Sequence, residues 1–214
     1  MRTELPTLIP IFPLPGALLL PRGRLPLNIF EPRYLDMVDD ALCGARIIGM
    51  IQPRPDGALY SVGGAGRITS FSETPDGRYL ITLTRARRFR LVEEIPADTS
   101  YRQARVDWSP YEKDLETSPA EASGSEIFAC GEFLSCVRKY LESHEFSFDW
   151  ECIENATPEK LVNSLAMICP FSVEEKQALL EAETLEARAQ SLIALMRMAM
   201  ACDRGADGGC NNIQ

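Results

Sequence analysis

Lysine is scarce in this chain, with four among 214 residues, at Lys113, Lys139, Lys160 and Lys176. Each follows Glu or Arg, so no Gly-Lys-Ser/Thr phosphate loop exists, and nucleotide hydrolysis by that route is excluded. Histidine is scarcer still. His144 stands alone in Glu142-Ser143-His144-Glu145, outside any HExxH or HxxxH context, which excludes a zinc site of several His ligands. As a catalytic base it would need a positioned nucleophile and a third orienting group, so it reads as a solvated residue after a helix end. There is no GxSxG elbow. The seven cysteines are odd in number and form no CxxC pair, the usage of a reducing compartment without a disulfide framework. No apolar run approaches the roughly 20 residues that span a bilayer. Pro6 interrupts the first eight residues, which hold no continuous apolar core of a signal peptide, so a cytoplasmic protein is expected. No catalytic residue, cofactor or metal is expected.

What is present is acidic. The formal charge is −9, which repels phosphate backbones and anionic lipid and argues against nucleic acid and membrane as partners. The hydrophobic share of 45% is that of a globular protein able to bury a core.

The pattern changes near residue 112. Before it, short apolar runs alternate with Pro and Gly, predicting strands near 9–12, 18–20, 25–30, 47–52, 59–62, 66–73, 78–84, 88–95 and 101–108. Thr74-Pro75-Asp76-Gly77 joins two of them as a tight turn. In the return strand Tyr79, Ile81 and Leu83 share one side, and Leu80, Thr82 and Thr84 the other. Many short strands suggest a twisted, partly closed barrel. One helix interrupts them: Pro32 sits at a first helical position, Tyr34, Leu35, Val38 and Leu42 form its stripe, and Gly44 stops it.

After residue 112 the spacing is helical. Ser118-Pro119-Ala120-Glu121 is a capping box before Ile127, Cys130, Leu134, Val137 and Leu141. Thr157-Pro158 opens the next helix, with Leu161, Leu165 and Ile168 inward and Pro170 as its end. Ser172-Val173-Glu174-Glu175 is a second capping box. Thr184 opens the last helix, with Leu185, Leu192, Leu195, Met196 and Ala199 inward. The organisation expected is α+β: a β-rich barrel over 1–112, a helical bundle packed with it over 113–204, and a disordered tail over 205–214.

Gly63-Gly64-Ala65-Gly66 would need a following helix to cradle phosphate, whereas Arg67-Ile68-Thr69-Ser70-Phe71 reads as strand; a bulge or tight crossover accounts for it better. Arg85, Arg87, Arg88 and Arg90 are the one basic cluster. Strand alternation splits them between two sides unless a bulge intervenes, against a continuous nucleic-acid stripe. Asn28, Phe30, Glu31, Arg33 and Tyr34 are the densest polar-aromatic cluster, at a strand-to-helix junction. Capping, local pairing and core packing can explain them; the functional reading is a rim that grips extended peptide.

The run Ile9-Pro10-Ile11-Phe12-Pro13-Leu14-Pro15-Gly16 through Leu25-Pro26-Leu27-Asn28-Ile29-Phe30-Glu31-Pro32-Arg33-Tyr34 resembles the opening of the Lon protease N-terminal domain. Val62-Gly63-Gly64-Ala65-Gly66-Arg67-Ile68 is similar to that family's strand crossover, and Pro75-Asp76-Gly77-Arg78-Tyr79 with Arg88-Phe89-Arg90 to its hairpin. Glu175-Lys176-Gln177-Ala178-Leu179-Leu180-Glu181 after Pro170 resembles the helix that follows. One departure stands out: the family commonly has Gly after the Leu83-Thr84 step, where this chain has Arg85. The resemblance implies a PUA-like barrel with a helical bundle, and a stand-alone bacterial member without the ATPase and Ser-Lys peptidase. It also implies a non-catalytic module for unfolded or extended polypeptide, an adaptor in protein quality control beside a separate protease or chaperone. RNA binding is the alternative, because PUA-like barrels often bind RNA.

Overall fold

The computed structural model describes residues 5–115, 131–143 and 156–207. They belong to two compact units, one of Met1–Thr117 with Met167–Glu181, the other of Ser118–Ala166 with Ala182–Gln214.

The described residues of the first unit form six strands: β1 Leu8–Pro13, β2 Leu25–Ile29, β3 Ile47–Ile51, β4 Val62–Glu73, β5 Tyr79–Ile95 and β6 Gln103–Asp107. Their order is β2-β5-β4-β3-β1-β6, and β5 also pairs with β6. Five strands thus close a ring, with β2 added outside it on the first half of β5. The β1–β3 pair is parallel and the remaining pairs are antiparallel. This is the partly closed barrel of an α+β fold.

Pleat alternation sorts the core. Ile9, Ile11, Ile47, Ile51, Ala65, Phe89, Ala104 and Val106 fill the ring. Phe12, Ile48, Met50, Ile68, Ile81 and Leu83 point the other way, toward helix α1, Pro32–Cys43. Strand β3 is buried along its whole length because both of its faces are covered. The buried side of α1 is Tyr34, Met37, Val38 and Ala41. Leu35 and Leu42, expected inward, are only partly buried, a rotation of the stripe by about one residue.

The glycines show why Leu18–Leu20 is not the strand its composition suggests. These leucines are buried in irregular backbone that lies directly against β4. A Cβ on Gly64 would stand 2.0 Å from the Leu19 carbonyl oxygen, and one on Gly63 would stand 2.4 Å from the Phe89 ring. Gly63-Gly64-Ala65-Gly66 therefore admits backbone and aromatic packing at close range. Opposite Gly66 the β4–β5 register shifts at Arg85–Ala86, and a second shift falls at Thr69. The bulge sits where the related family carries glycine. It also fuses the two strands expected at 78–84 and 88–95 into the single strand β5. The strand expected at 59–62 is reduced to a bridge from Pro53 to Leu59, with Val62 opening β4.

Helix α4, Val173–Glu181, belongs to the β-rich unit, so the helices of 113–204 do not form one body. Polar side chains make the link. Gln52 is fully buried. Its Oε1 accepts from the Gly16 N–H at 2.9 Å, and its Nε2 donates to the Val173 carbonyl and to Gln177 Oε1, both at 3.0 Å. Gln177 Nε2 donates on to the Val62 carbonyl at 3.1 Å. Lys176 Nζ donates to the carbonyls of Gly16 at 2.8 Å and Met167 at 3.0 Å, and burial pulls its pKa down. The α4 capping box forms as its sequence requires: Glu175 N–H donates to Ser172 Oγ at 3.2 Å, and Ser172 N–H to Glu175 Oε2 at 2.8 Å.

In the second unit, α2 spans Glu132–Ser143, burying Phe133, Cys136, Val137, Tyr140 and Leu141. Helix α3 spans Pro158–Ile168. Its inner face is Leu161, Val162, Leu165 and Ala166, while Ile168 is exposed, contrary to the stripe expected. Arg188 Nη1 donates to Asn163 Oδ1 at 2.9 Å, both residues buried. Helix α5 runs Leu185–Asp207, so 205–207 is helical where a disordered tail was expected. Residues 208–214, His144, and the capping box at Ser118 with Ile127 and Cys130 lie outside the described residues.

Candidate functional site

The junction of β2 and α1 is built from the edge inward. β2 pairs antiparallel with β5, setting Asn28 opposite Leu80 and Ile29 opposite Tyr79. Ile29 turns into the core and fixes the strand end. Glu31 caps α1 in extended backbone geometry, with Pro32 following at the first helical position and no side-chain capping bond. Its carboxylate is used elsewhere: it accepts from Arg33 Nε at 2.9 Å and lies 2.7 Å from Arg33 Nη2. That bond pushes the Arg33 pKa further up. The guanidinium also covers the Tyr34 ring, 4.5 Å from its centroid. Tyr34 in turn is buried on Phe12, ring centroids 4.1 Å apart, and burial raises its phenol pKa.

The five residues singled out by sequence therefore separate. Tyr34 is core. Glu31 and Arg33 satisfy one another at the surface, a pairing that contributes little to stability. Asn28 stays exposed on the strand, and Phe30 is 64% exposed directly after it. Sequence reasoning missed Leu80, 45% exposed opposite Asn28. Its signal was legible, as an apolar residue alternating with threonines on the side facing away from Ile81. Phe71 is also exposed, edge-on to Tyr79 at 4.9 Å.

The basic cluster is taken up inside the unit. Arg88 is buried against Asp114, with Nη2 2.8 Å from Oδ1, and its Nη1 donates to the Leu180 carbonyl at 3.2 Å. Arg87 donates to the carbonyls of Trp108 at 2.7 Å and Tyr111 at 3.1 Å. Arg90 is exposed, opposite Asp107. Among the described residues no group of three or more His, Cys, Asp or Glu side chains could hold a metal, and no helix is long and apolar enough to cross a membrane.

The sequence model of the ATP-dependent protease La (LON) substrate-binding domain matches residues 8–198. The chain belongs to the Lon substrate-binding domain family. It is 27% identical over 203 residues to Lon protease 2 of Myxococcus xanthus, covering 91% of this chain and 24% of that protein. It is 26% identical over 211 residues to the Lon protease of Flavobacterium johnsoniae, covering 92% and 25%. The chain thus spans about a quarter of the length of these curated relatives. The crystal structure of a Lon N-terminal domain protein from Xanthomonas campestris superposes with a TM-score of 0.60 at 26% identity, covering 88% of this chain and 98% of that one. The N-terminal domain of a Mycobacterium avium complex Lon protease shares the fold, with a TM-score of 0.65 at 16% identity over 89% and 98%. Among the described residues of this Lon domain the most exposed large apolar side chain is Phe30, at the β2–α1 junction.

Proposed function

We propose that this Lon-type domain is a non-catalytic recognition module for unfolded or extended polypeptide, acting in cytoplasmic protein quality control as an adaptor beside a separate protease or chaperone. One observation carries the reading: in a domain of the Lon substrate-binding family, Phe30 stands 64% exposed while the residues around it are fixed. Ile29 and Tyr34 anchor the backbone on either side, and Arg33 is held by Glu31. With the backbone held on both sides, only the two side-chain torsions of Phe30 are left to order when its ring meets an apolar side chain, a small entropic cost. The RNA alternative lacks such support, because Arg87 and Arg88 are committed to internal carbonyls and to Asp114.

The affinity expected is micromolar, about −8 kcal/mol, from one or two apolar anchors. Fluorescence titration with unfolded casein tests it. Wild type binds with little change between low and moderate salt, and Phe30→Ser weakens binding at least about fivefold (about 1 kcal/mol) without loss of stability. Absence of binding up to high micromolar casein overturns the reading, as does tighter binding of a short RNA with a steep salt slope. The protein neither hydrolyses ATP nor cleaves the casein.

A further inference from the structure

Among the described residues strand β2 has one edge without a strand partner. Among the described residues β1, β3, β4, β5 and β6 each pair with two or more strands, whereas β2 pairs with β5 alone. Pro26 decides what the open side presents. Lacking an N–H, it cannot sit in a mutually hydrogen-bonded pair, so the Pro26–Thr82 position is of the non-hydrogen-bonded kind. Two residues on, Asn28–Leu80 is of the same kind. The Pro26 carbonyl and both the N–H and the carbonyl of Asn28 therefore point away from β5. No backbone partner occurs for any of them among the described residues. The β2–β5 register runs without a bulge and no lysine lies within β2, whose defences as an edge are Pro26 and, at its start, Arg24.

We propose that the open edge of β2 is a docking strand on which an extended polypeptide segment adds by main-chain pairing, centred on Asn28, with an apolar residue of that segment set beside Phe30 or Leu80. This rests on the polypeptide-recognition reading and gives it a mode. Asn28 supplies one complete two-bond pair and Pro26 one further acceptor. The segment engaged is therefore short, and recognition is tolerant of sequence because the backbone is what is read. The spacing of donor and acceptor matches another chain in β conformation. A nucleic acid would need several free cations along the edge; the guanidinium of Arg33 is already on Glu31, and the exposed Arg24 stands only at the far end of the strand. A second copy of this chain fits less well. Antiparallel β2–β2 pairing about Asn28 sets Pro26 against Phe30 at both ends, and each Phe30 carbonyl then meets a nitrogen without a proton.

The test compares Asn28→Pro with Asn28→Ala in the full chain. The Asn28 N–H points outward, so proline there removes an edge donor and no bond to β5, and Leu27 before it is already extended. Urea unfolding shows whether both variants fold. With fluorescein-labelled unfolded casein, Asn28→Pro binds at least tenfold more weakly than Asn28→Ala. A second arm uses wild type and a short Val/Leu peptide. Methylation of alternate backbone nitrogens abolishes binding if the edge is the site, and this arm stands even if Asn28→Pro does not fold. Equal casein affinity of the two variants, together with loss on Phe30→Ser, overturns the edge and leaves polypeptide recognition standing. Failure of wild type to bind casein or peptide overturns both. A wild-type dimer that Asn28→Pro dissociates while casein binding persists assigns the edge to a second copy and overturns the proposal.

Discussion

Arg88 and Asp114 form a buried two-pronged ion pair, Nε to Oδ2 at 3.0 Å and Nη2 to Oδ1 at 2.8 Å, and the Asp114 carboxylate also accepts the backbone N–H of Arg88 at 2.9 Å. One carboxylate thus ties the 3-10 segment Ser109–Leu115 to the middle of β5. Asp114→Ala leaves a buried guanidinium without its counter-charge, and should lower unfolding stability by about 3–5 kcal/mol. Urea denaturation measures it. Arg88→Met combined with Asp114→Leu should recover much of the loss, because replacing a whole buried pair by apolar side chains is often near neutral. A loss below about 1 kcal/mol in the single variant would mean that water reaches the pair.

Gly64→Ala tests the contact between the Leu18–Leu20 run and β4. The added methyl would meet the Leu19 carbonyl at 2.0 Å, and backbone cannot step aside as a side-chain tip can. Destabilisation of about 3 kcal/mol or more is expected, against less than 1 kcal/mol for Gly44→Ala, which gains only van der Waals contacts beyond about 3.4 Å.

Tyr101 gives the protein an alkaline limit. Its hydroxyl donates to Asp40 Oδ2 at 2.7 Å, and burial with that carboxylate pushes the phenol up to about 12 from an ordinary 10. The unfolded chain releases this proton near pH 10 while the folded chain holds it. Stability from this group is therefore complete below pH 10 and falls as pH rises toward 12. The drop from this group is up to about 2–3 kcal/mol. Chemical denaturation at intervals across pH 9–12 should show a shallower fall for Tyr101→Phe than for wild type; parallel curves would refute the assignment.

Thiol reactivity divides by burial. Cys43 and Cys202 are exposed, Cys136 and Cys169 are buried, and none of the four is in a disulfide. Burial also raises the Cys136 pKa, which lowers its thiolate population. Brief labelling with iodoacetamide, mapped by mass spectrometry, should modify Cys43 and Cys202 first, and Cys136 and Cys169 only on unfolding.

Much of this fold was readable because local chemistry agreed with it. The turn at Thr74–Gly77 closes with Gly77 at φ +80°, and Ser172 and Thr184 cap the helices they precede. The misreadings share a cause. Leu18–Leu20 has the apolarity of a strand, yet its backbone is placed by a glycine more than forty residues away. The grouping of α4 with the barrel is carried by Gln52, Lys176 and Gln177, polar residues that no hydrophobic period can flag. At the candidate site the composition drew attention to five adjacent residues. The inward place of Tyr34 was legible in the helical stripe, whereas the open Asn28 and its neighbour Leu80 follow only from the pairing of β2 with β5, a long-range contact.

The reach of α4 has a consequence for how the chain is made. Lys176 bonds Gly16 across 160 positions and Gln177 bonds Gln52 across 125. During synthesis the ring strands leave the ribosome long before their last polar partners do. Until α4 arrives, the buried amide of Gln52 and the carbonyl of Gly16 face water, in a barrel whose ring can already close. Such late, non-local closure slows folding and prolongs the life of an incomplete, sticky intermediate. A chain ending at residue 170 should accordingly accumulate in aggregates more than the full 214 residues do under the same refolding conditions.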